Sequence, residues 1–254
     1  MKTRTSKKMF LSFLAVAIAT LACDQVLGNP FLPMQRSPTE SVSITPDSTG
    51  LPKEPVDPDA GSSGLGDSLY PGFGNGGYDA LHYTLDITVN DIATSNLSAI
   101  TTIDAKATQD LNSFNLDFIG FEITSIKINE QSAEFEWDGQ ELTVTPSIPL
   151  AKNELFTVVV QYNGSPNAMQ SVALPFQTGW VTIEGGSFVL SEPDGAASYF
   201  PSNDHPLDKA AYTFHVTVPE PYEVAANGVL TETIDNGDTR TFDFEARAPM
   251  ASYL

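Results

Sequence analysis

The stretch LHYTLDITV, residues 81–89, decides the fold because its apolar and polar side chains alternate at every position. A period of two is that of a β-strand with one buried and one solvated face. Further segments of strand character follow at short intervals, and no window of ten or more residues shows a 3.6-residue apolar period. These segments include LSAITTIDAKA, LNSFNLDFI, FEITSIKIN, SAEFEWDG, QELTVTPS and ELFTVVVQYN.

The junctions between the segments carry residues that favour tight turns. Asp138-Gly139 and Asn236-Gly237 each lie between two alternating runs, which predicts two β-hairpins. In PLDKAAYTF, Asp204 could cap one helical turn that begins at Pro206, before alternation resumes. We therefore predict that residues 78–254 form an all-β domain, an antiparallel, saddle-like β-sandwich of two packed sheets.

The first 23 residues have the layout of an export signal. Four basic side chains precede an apolar run from Met9 to Ala22, which is too short for a comfortable membrane span. Cys23, the only cysteine, closes the segment and resembles the lipobox cysteine of bacterial lipoproteins, although Thr20 stands where an aliphatic residue is usual. We expect an exported lipoprotein, tethered to the membrane at the cell surface or in the periplasm. An ordinary cleaved signal and an uncleaved anchor are the alternatives.

Residues 24–77 differ in composition from both neighbouring parts. They are rich in Pro, Ser, Gly and Asp and poor in regularly spaced apolar residues. Such a segment cannot bury enough apolar surface to offset its ordering entropy, so the composition predicts a disordered linker. Its DPDAG and DSTG pieces lack the ligand spacing and closing glutamate of an EF-hand and are typical of turns.

The charge balance excludes one class of partner. With 32 acidic and 12 basic residues the formal net charge is -20, which repels phosphate backbones, so no nucleic acid is expected. The hydrophobic content of 41% is ordinary for a folded domain.

The sequence contains no complete set of catalytic motifs. The three histidines, His82, His205 and His215, are far apart in sequence, and there is no H-E-x-x-H or G-x-S-x-G motif. The Gly-rich GFGNGG neither follows a strand nor opens a helix, as a phosphate loop would. The residues alone therefore predict no metal site and no catalytic apparatus on this chain.

Glu192 is the acid that the local sequence singles out. It ends the apolar run GSFVLSE, immediately before Pro193-Asp194-Gly195 breaks the strand. A carboxylate at a rigid strand end can point into a cleft and receive an ammonium group through a charge-assisted hydrogen bond. A solvated acid at a turn is the alternative.

The stretch SEPDGAASYFPSNDHPLDKAAYTFHVTVPEPYEVAANGVL, residues 191–230, belongs to a longer pattern over residues 78–254. The pattern includes YDALHYTLDITVN, FNLDFIGFEI, Trp137-Asp138-Gly139 with ELTVTP, Tyr162-Asn163-Gly164, Gly179-Trp180 and the terminal PMASYL. Together these residues resemble the N-terminal domain of the aminopeptidase N family of zinc aminopeptidases, most strongly in residues 191–230.

The resemblance implies a saddle-like β-domain that packs on a catalytic zinc-peptidase domain. It also implies that a Glu or Gln at the position of Glu192 helps to bind the free α-amino group of a peptide's N-terminus. Glu192 lies twelve residues before Asp204, as in the family. The rest of the stretch is expected to be a structural corner in which Asp204 caps a turn and Lys209 pairs with an acid. The corner residues are Tyr199, Pro201, Asp204, Pro206 and Lys209.

The family's zinc-binding H-E-x-x-H helix lies beyond the segment that matches PMASYL. The resemblance thus places zinc in the full-length enzyme and no cofactor on this chain. We expect the N-terminal, amine-binding and scaffold part of an exported zinc aminopeptidase, a fragment without catalysis of its own. The catalytic domain would join it in cis or in trans. The alternative is a stand-alone cell-surface β-domain that binds peptides or partner proteins.

Overall fold

The computed structural model describes residues 59–254, in which strands make up nearly all of the regular structure. The helical structure in this range is one 3-10 turn, Ala196–Ser198. No helix among these residues has the length and apolarity that a membrane span needs. The all-β prediction is confirmed. The strands are β1 Tyr78–Asp91, β2 Asn96–Ala107, β3 Phe114–Asp117, β4 Glu122–Ile128, β5 Gln131–Ser132, β6 Glu134–Asp138, β7 Glu141–Thr145, β8 Leu155–Gly164, β9 Met169–Gln170, β10 Gln177–Ile183, β11 Gly186–Leu190, β12 Ala210–Pro219, β13 Val229–Asp235 and β14 Thr239–Met250.

The strands form one large sheet and two small ones rather than two sheets. The large sheet has the order β13-β14-β12-β1-β2-β8-β4-β5, and the small sheets have the orders β3-β7-β6 and β11-β10-β9. The pairing is antiparallel except between β1 and β12, which run parallel from the pair His82 and Ala211 to the pair Thr88 and Thr217. The predicted all-antiparallel arrangement is therefore corrected at this pair. Chain-distant strands meet here, and no local pattern specifies their direction.

Both predicted hairpins are present. Asp138 pairs with Glu141 across the β6–β7 turn, where Gly139 has φ 65°, and Gly237 in the β13–β14 turn has φ 91°. The helical turn expected after Asp204 is absent from the structure. In its place the backbone N–H of Asp208 donates to the His205 carbonyl at 3.1 Å, which closes a single turn.

One apolar core lies between the large sheet and the β3-β7-β6 sheet. The rings of Tyr78 in β1 and Phe114 in β3 meet edge to face at 5.4 Å. Phe118, just after β3, meets Tyr162 of β8 in the same way at 4.8 Å. All four side chains are nearly fully buried, which confirms the sandwich arrangement of these two sheets.

The structure assigns residues 59–77 to the domain, although their composition predicts a linker. The Gly61 N–H donates to the Ser113 carbonyl at 2.8 Å, and the side chains of Phe73 and Asn75 are buried. A Cβ atom on Gly61 would lie 2.7 Å from the Gly76 carbonyl oxygen, so the small residues allow close backbone packing. The predicted signal segment, Cys23 and residues 24–58 lie outside the described residues.

The β10–β11 hairpin contacts the turn between β1 and β2 of the large sheet and leads into the stretch 191–210. Its strand β10 approaches the β1–β2 turn, where the hydroxyls of Ser95 and Thr182 hydrogen bond at 2.8 Å. The chain leaves β11 at Leu190 and enters the stretch 191–210 that contains Glu192.

Candidate functional site

The stretch 191–210 holds four acidic residues with unequal environments. Asp194, Asp204 and Asp208 are buried, at 3%, 2% and 8% exposure, whereas Glu192 is exposed. The three aspartates accept hydrogen bonds from this stretch or from distant parts of the chain. The sequence alone does not separate these roles.

Asp194 fastens the loop after β11 to the segment after β9. Its Oδ1 accepts a hydrogen bond from the Ser171 hydroxyl at 2.6 Å, and its Oδ2 accepts one from the Val172 N–H at 3.0 Å. Ser171 is also buried. The bonds fix the position directly after Pro193.

Asp204 fastens the same loop from the other side. Its Oδ2 accepts hydrogen bonds from the N–H groups of Gly195 at 3.0 Å and Ala197 at 3.2 Å. Its Oδ1 accepts one from the Ser252 hydroxyl at 2.7 Å. The carboxylate therefore serves the preceding 3-10 turn and not a following one, which corrects the predicted cap. Burial raises the pKa of Asp204, and these hydrogen bonds act against the increase in pKa.

Gly195 permits a close approach between this loop and β10. Its φ is 141°, and a Cβ atom there would lie 2.8 Å from the backbone nitrogen of Gly179. No larger residue fits without displacing backbone. The loop is thus held by two carboxylates and by direct backbone packing.

The side chain of Asp117 is hydrogen bonded to the backbone of Asp204. Its Oδ2 accepts hydrogen bonds from the Asp204 N–H at 2.8 Å and the Asn75 side-chain amide at 3.0 Å, and its Oδ1 accepts one from Gln140 at 3.0 Å. Burial, with a smaller contribution from the negative charge of Asp204, raises the pKa of Asp117 to about 8. Fixing Asp117 therefore also fixes the backbone at Asp204.

Asn203 links the next part of the stretch to β1 and to the segment before it. Its N–H donates to the Tyr83 hydroxyl at 3.0 Å, and its side chain exchanges two hydrogen bonds with the Asn75 backbone. The Asn203 amide also donates to Asp208. Burial is the main cause that raises the pKa of Asp208 to about 7, with a further increase from Asp79.

Glu192 lies just before the fixed part of the loop, which begins at Asp194, and its own carboxylate is not held. Among residues 59–254, it takes part in no hydrogen bond or ion pair. The adjacent hairpin has apolar residues with exposed fractions between 40% and 51%. These residues are Ile183, Phe188, Val189 and Leu190.

The other corner residues divide into buried and exposed ones. Tyr199 is buried, and its carbonyl accepts a hydrogen bond from the Tyr162 hydroxyl at 3.0 Å. Pro201 is buried and Pro206 is half-buried in the turn after His205. Lys209 is exposed and forms no ion pair within the described part of the chain, so the expected pairing with an acid is corrected.

The histidines do not form a metal centre. In residues 59–254 no group of three His, Cys, Asp or Glu side chains is arranged to hold a metal ion. The Nδ1 of His205 accepts from the Leu207 N–H at 3.0 Å, and its Nε2 lies 3.5 Å from Asp67 Oδ2. His82 contacts Thr213 at 2.9 Å. The described residues therefore do not fit zinc.

Sequence reasoning missed Asp117, Asn203 and Ser252 as parts of the site. Asp117 carried a readable signal, because an acid in the apolar run FNLDFI must find hydrogen-bond donors if that run is buried. Ser252 carried none, since its partner Asp204 lies 48 residues away.

The fold and the site together define an all-β domain whose loop 191–210 is held by buried carboxylates and lies beside exposed apolar side chains. The family described as Peptidase M1 N-terminal domain matches residues 79–254, so the chain belongs to that family.

The relatives include enzymes of known class. Leucine aminopeptidase 2 of Neurospora crassa is 28% identical over 169 residues, which are 62% of this chain and 24% of that protein. The crystal structure of an M1 zinc metallopeptidase from Deinococcus radiodurans is 34% identical, with a TM-score of 0.70 over 75% of this chain. A variant of that metallopeptidase, 33% identical, was solved with a Tyr-Ser-Ala substrate.

These relatives are longer than the part they share with this chain. The chain spans 24% of the Neurospora protein and 44% of the Deinococcus structures. One of the solved relatives is described as a two-domain M1 zinc metallopeptidase.

Proposed function

We propose that this protein supplies the N-terminal domain of a zinc aminopeptidase and that Glu192 binds the α-ammonium group of the peptide substrate. The partner domain is a zinc-peptidase domain, joined to this one in a single polypeptide. The aminopeptidase activity belongs to the two domains together. Family membership supports the class, and the resemblance of SEPDGAAS to the family's segment supports the role of Glu192.

One observation carries the proposal for Glu192. Of the four acids in the stretch 191–210, it is the one that is exposed and has no partner within residues 59–254. The loop that carries it is fixed by Asp194 and Asp204, so the carboxylate can be presented at a reproducible position. A preorganised carboxylate loses little entropy when it binds an ammonium group.

The surface beside Glu192 supports a domain partner. The exposed apolar side chains Phe188, Val189 and Leu190 belong to β11, which is exposed on both faces. Apolar surface of this kind beside a free carboxylate suits burial against a second domain, which would enclose the substrate's amino terminus. The zinc-peptidase domain is the partner that the family supplies.

We also propose that the protein is exported and held at the membrane by a lipid on Cys23. The basic and apolar layout of residues 1–22 and the solitary cysteine that follows support this location. A tethered aminopeptidase would act on peptides outside the cytoplasm.

The test uses a fusion in which this chain replaces the N-terminal domain of the Deinococcus radiodurans relative and is followed by that enzyme's zinc-peptidase domain. In the fusion, Glu192→Ala is expected to raise KM for an aminoacyl nitroanilide about tenfold, because a charge-assisted hydrogen bond is lost. Glu192→Gln keeps an acceptor and is expected to lie between the two. Glu184→Ala, which removes an exposed acid at the opposite end of the same hairpin, is the matched control.

Two results would contradict the proposal. One is an unchanged KM in Glu192→Ala, and the other is an equal increase in KM in Glu184→Ala. Activity that is restored when the separate peptidase domain is added in trans would instead place the partner on another polypeptide.

A further inference from the structure

We propose that Asp204 is a positioning residue that sets the place of Glu192 relative to the segment Ala251–Ser252, which follows β14. The inference rests on the proposed function of Glu192. It assigns to a single buried side chain the coupling between the amine-binding loop and the connection to the peptidase domain.

The two oxygens of Asp204 contact different parts of the chain. Oδ2 holds the loop through the N–H groups of Gly195 and Ala197, and Oδ1 holds the Ser252 hydroxyl. Ser252 is 1% exposed and Ala251 is 2% exposed, so the segment after β14 is packed into the domain at this point. A rigid carboxylate thus joins two segments that are over fifty residues apart in sequence.

Asp204 has little freedom to move, because both its carboxylate and its backbone are hydrogen bonded. Its backbone N–H donates to Asp117 Oδ2 at 2.8 Å, and the next residue back, Asn203, is held by Tyr83 and Asn75. Hydrogen bonds made inside the protein on both Asn203 and Asp204 hold this part of the backbone in one geometry. A displacement of Ser252 is therefore passed to the loop through Asp204 and is not absorbed by it.

The functional consequence concerns distance. Once a substrate's reacting bond is placed on one domain, its ammonium group must meet Glu192 on the other, and small errors in such placement are costly. In the proposed two-domain enzyme, Asp204 links Glu192 to the segment that follows β14 and leads toward the peptidase domain. Asp204 touches neither the substrate nor the reacting atoms. A change at Asp204 is therefore expected to act on substrate affinity, through the position of Glu192.

Amide hydrogen exchange on the full chain tests the coupling without requiring catalysis. Ser252→Ala removes one hydroxyl that does not touch the loop. We expect exchange at the Gly195 and Ala197 amides to become about tenfold faster relative to the amide of Ile103 in β2, because Asp204 loses the bond that orients it.

Ser202→Ala is the matched control. Ser202 is fully buried, lies two residues from Asp204, and its hydroxyl has no hydrogen-bond partner among the described residues. Its removal is expected to change exchange at Gly195 and Ala197 less than about twofold. Equal changes in the two variants, or no change in Ser252→Ala, would overturn the inference.

Kinetics in the fusion separate positioning from general loss of structure. Ser252→Ala is expected to raise KM about threefold with kcat nearly unchanged, and to have no further effect in a Glu192→Ala background. An equal increase in both backgrounds, or an unchanged KM in the intact background, would overturn the positioning role. The two proposals can also fail separately. If Glu192→Ala leaves KM unchanged, the proposed function of Glu192 is wrong, and so is the positioning role that depends on it. If the exchange rate at Gly195 still rises in Ser252→Ala, the structural coupling through Asp204 remains supported.

Discussion

Tyr83 and Tyr212 stack on each other across the single parallel strand pair of the large sheet. Their ring centroids are 5.0 Å apart and the ring planes differ by 13°. Both rings are buried, at 1% and 2% exposure. Their hydroxyls differ, because Tyr83 accepts a hydrogen bond from the Asn203 N–H at 3.0 Å, whereas the Tyr212 hydroxyl has no partner among the described residues.

This difference predicts unequal effects of the same substitution. Tyr83→Phe leaves the buried Asn203 N–H without its acceptor and is expected to lower the free energy of unfolding by about 1–3 kcal/mol. Tyr212→Phe removes a hydroxyl that bonds to nothing in residues 59–254 and is expected to change it by less than about 1 kcal/mol. Urea unfolding measures both changes in the free energy of unfolding. Equal m-values show that the variants expose the same amount of surface on unfolding. Equal losses would show that the hydroxyl bond does not support the corner.

Gly195→Ala is expected to destabilise the domain by at least about 2 kcal/mol, because φ 141° is strained for alanine and the new Cβ would press on Gly179. Gly186→Ala is the control at the start of β11, where a Cβ would meet no atom within 4 Å. Thermal unfolding of the two variants is compared. A loss in Gly186→Ala as large as that in Gly195→Ala would contradict the packing argument.

Stability is expected to fall as pH rises from about 4 to about 8. The folded state keeps a proton on Asp117 up to about pH 8, whereas the unfolded chain releases it near the ordinary aspartate pKa of 3.8. The folded state therefore binds more protons within this window, and stability decreases by up to about 1.4 kcal/mol per pH unit for this group.

Asp117→Asn tests this assignment. The variant has no titrating group at this position, and a rotation of the Gln140 amide restores its hydrogen bond, so the fall in stability with pH is expected to be shallower. Urea unfolding at several values between pH 5 and pH 8 measures the slope. Identical slopes in the two proteins would assign the pH dependence to other groups.

Cys23→Ala tests the proposed anchor. In an exporting bacterial host, the unchanged chain is expected in the detergent phase after Triton phase separation, because acyl chains on Cys23 supply the membrane affinity. The variant is expected to lose that partition. A variant that partitions like the unchanged chain would identify residues 1–22 themselves as the anchor.

The strands could be predicted from sequence because each alternation is local. LHYTLDITV buries Tyr83, Leu85, Ile87 and Val89 as its period requires, and the Asp138-Gly139 turn closes the expected hairpin. Leu81, on the same predicted face, is 42% exposed because the register of β1 against β2 shifts between Ala80 and His82. The parallel partner of β1 could not be predicted, since side-chain alternation says nothing about which distant strand will pair with it. The composition of residues 59–77 predicts a linker. Composition cannot show that Gly61 and Gly76 pack backbone to backbone, as they do in the structure.

The candidate site was predictable only in part. Glu192 could be selected from its place at a strand end and from the family resemblance, but Asp194, Asp204 and Asp208 look equally available in sequence. Burial separates them, and burial depends on partners such as Ser171, Ser252 and Ala80 from distant segments. The direction of the Asp204 side chain is set by such contacts, so a cap assigned from the next few residues pointed the wrong way.

The most direct test of the central claim measures how much of a ligand's affinity comes from its ammonium group. L-Tryptophan, which is bound in one solved relative, and indolepropionate, which lacks the amine, are titrated into the fusion with and without Glu192→Ala. Glu192→Ala is expected to weaken tryptophan binding at least about tenfold and indolepropionate binding less than about twofold. Equal effects on the two ligands, or none on tryptophan, would contradict it.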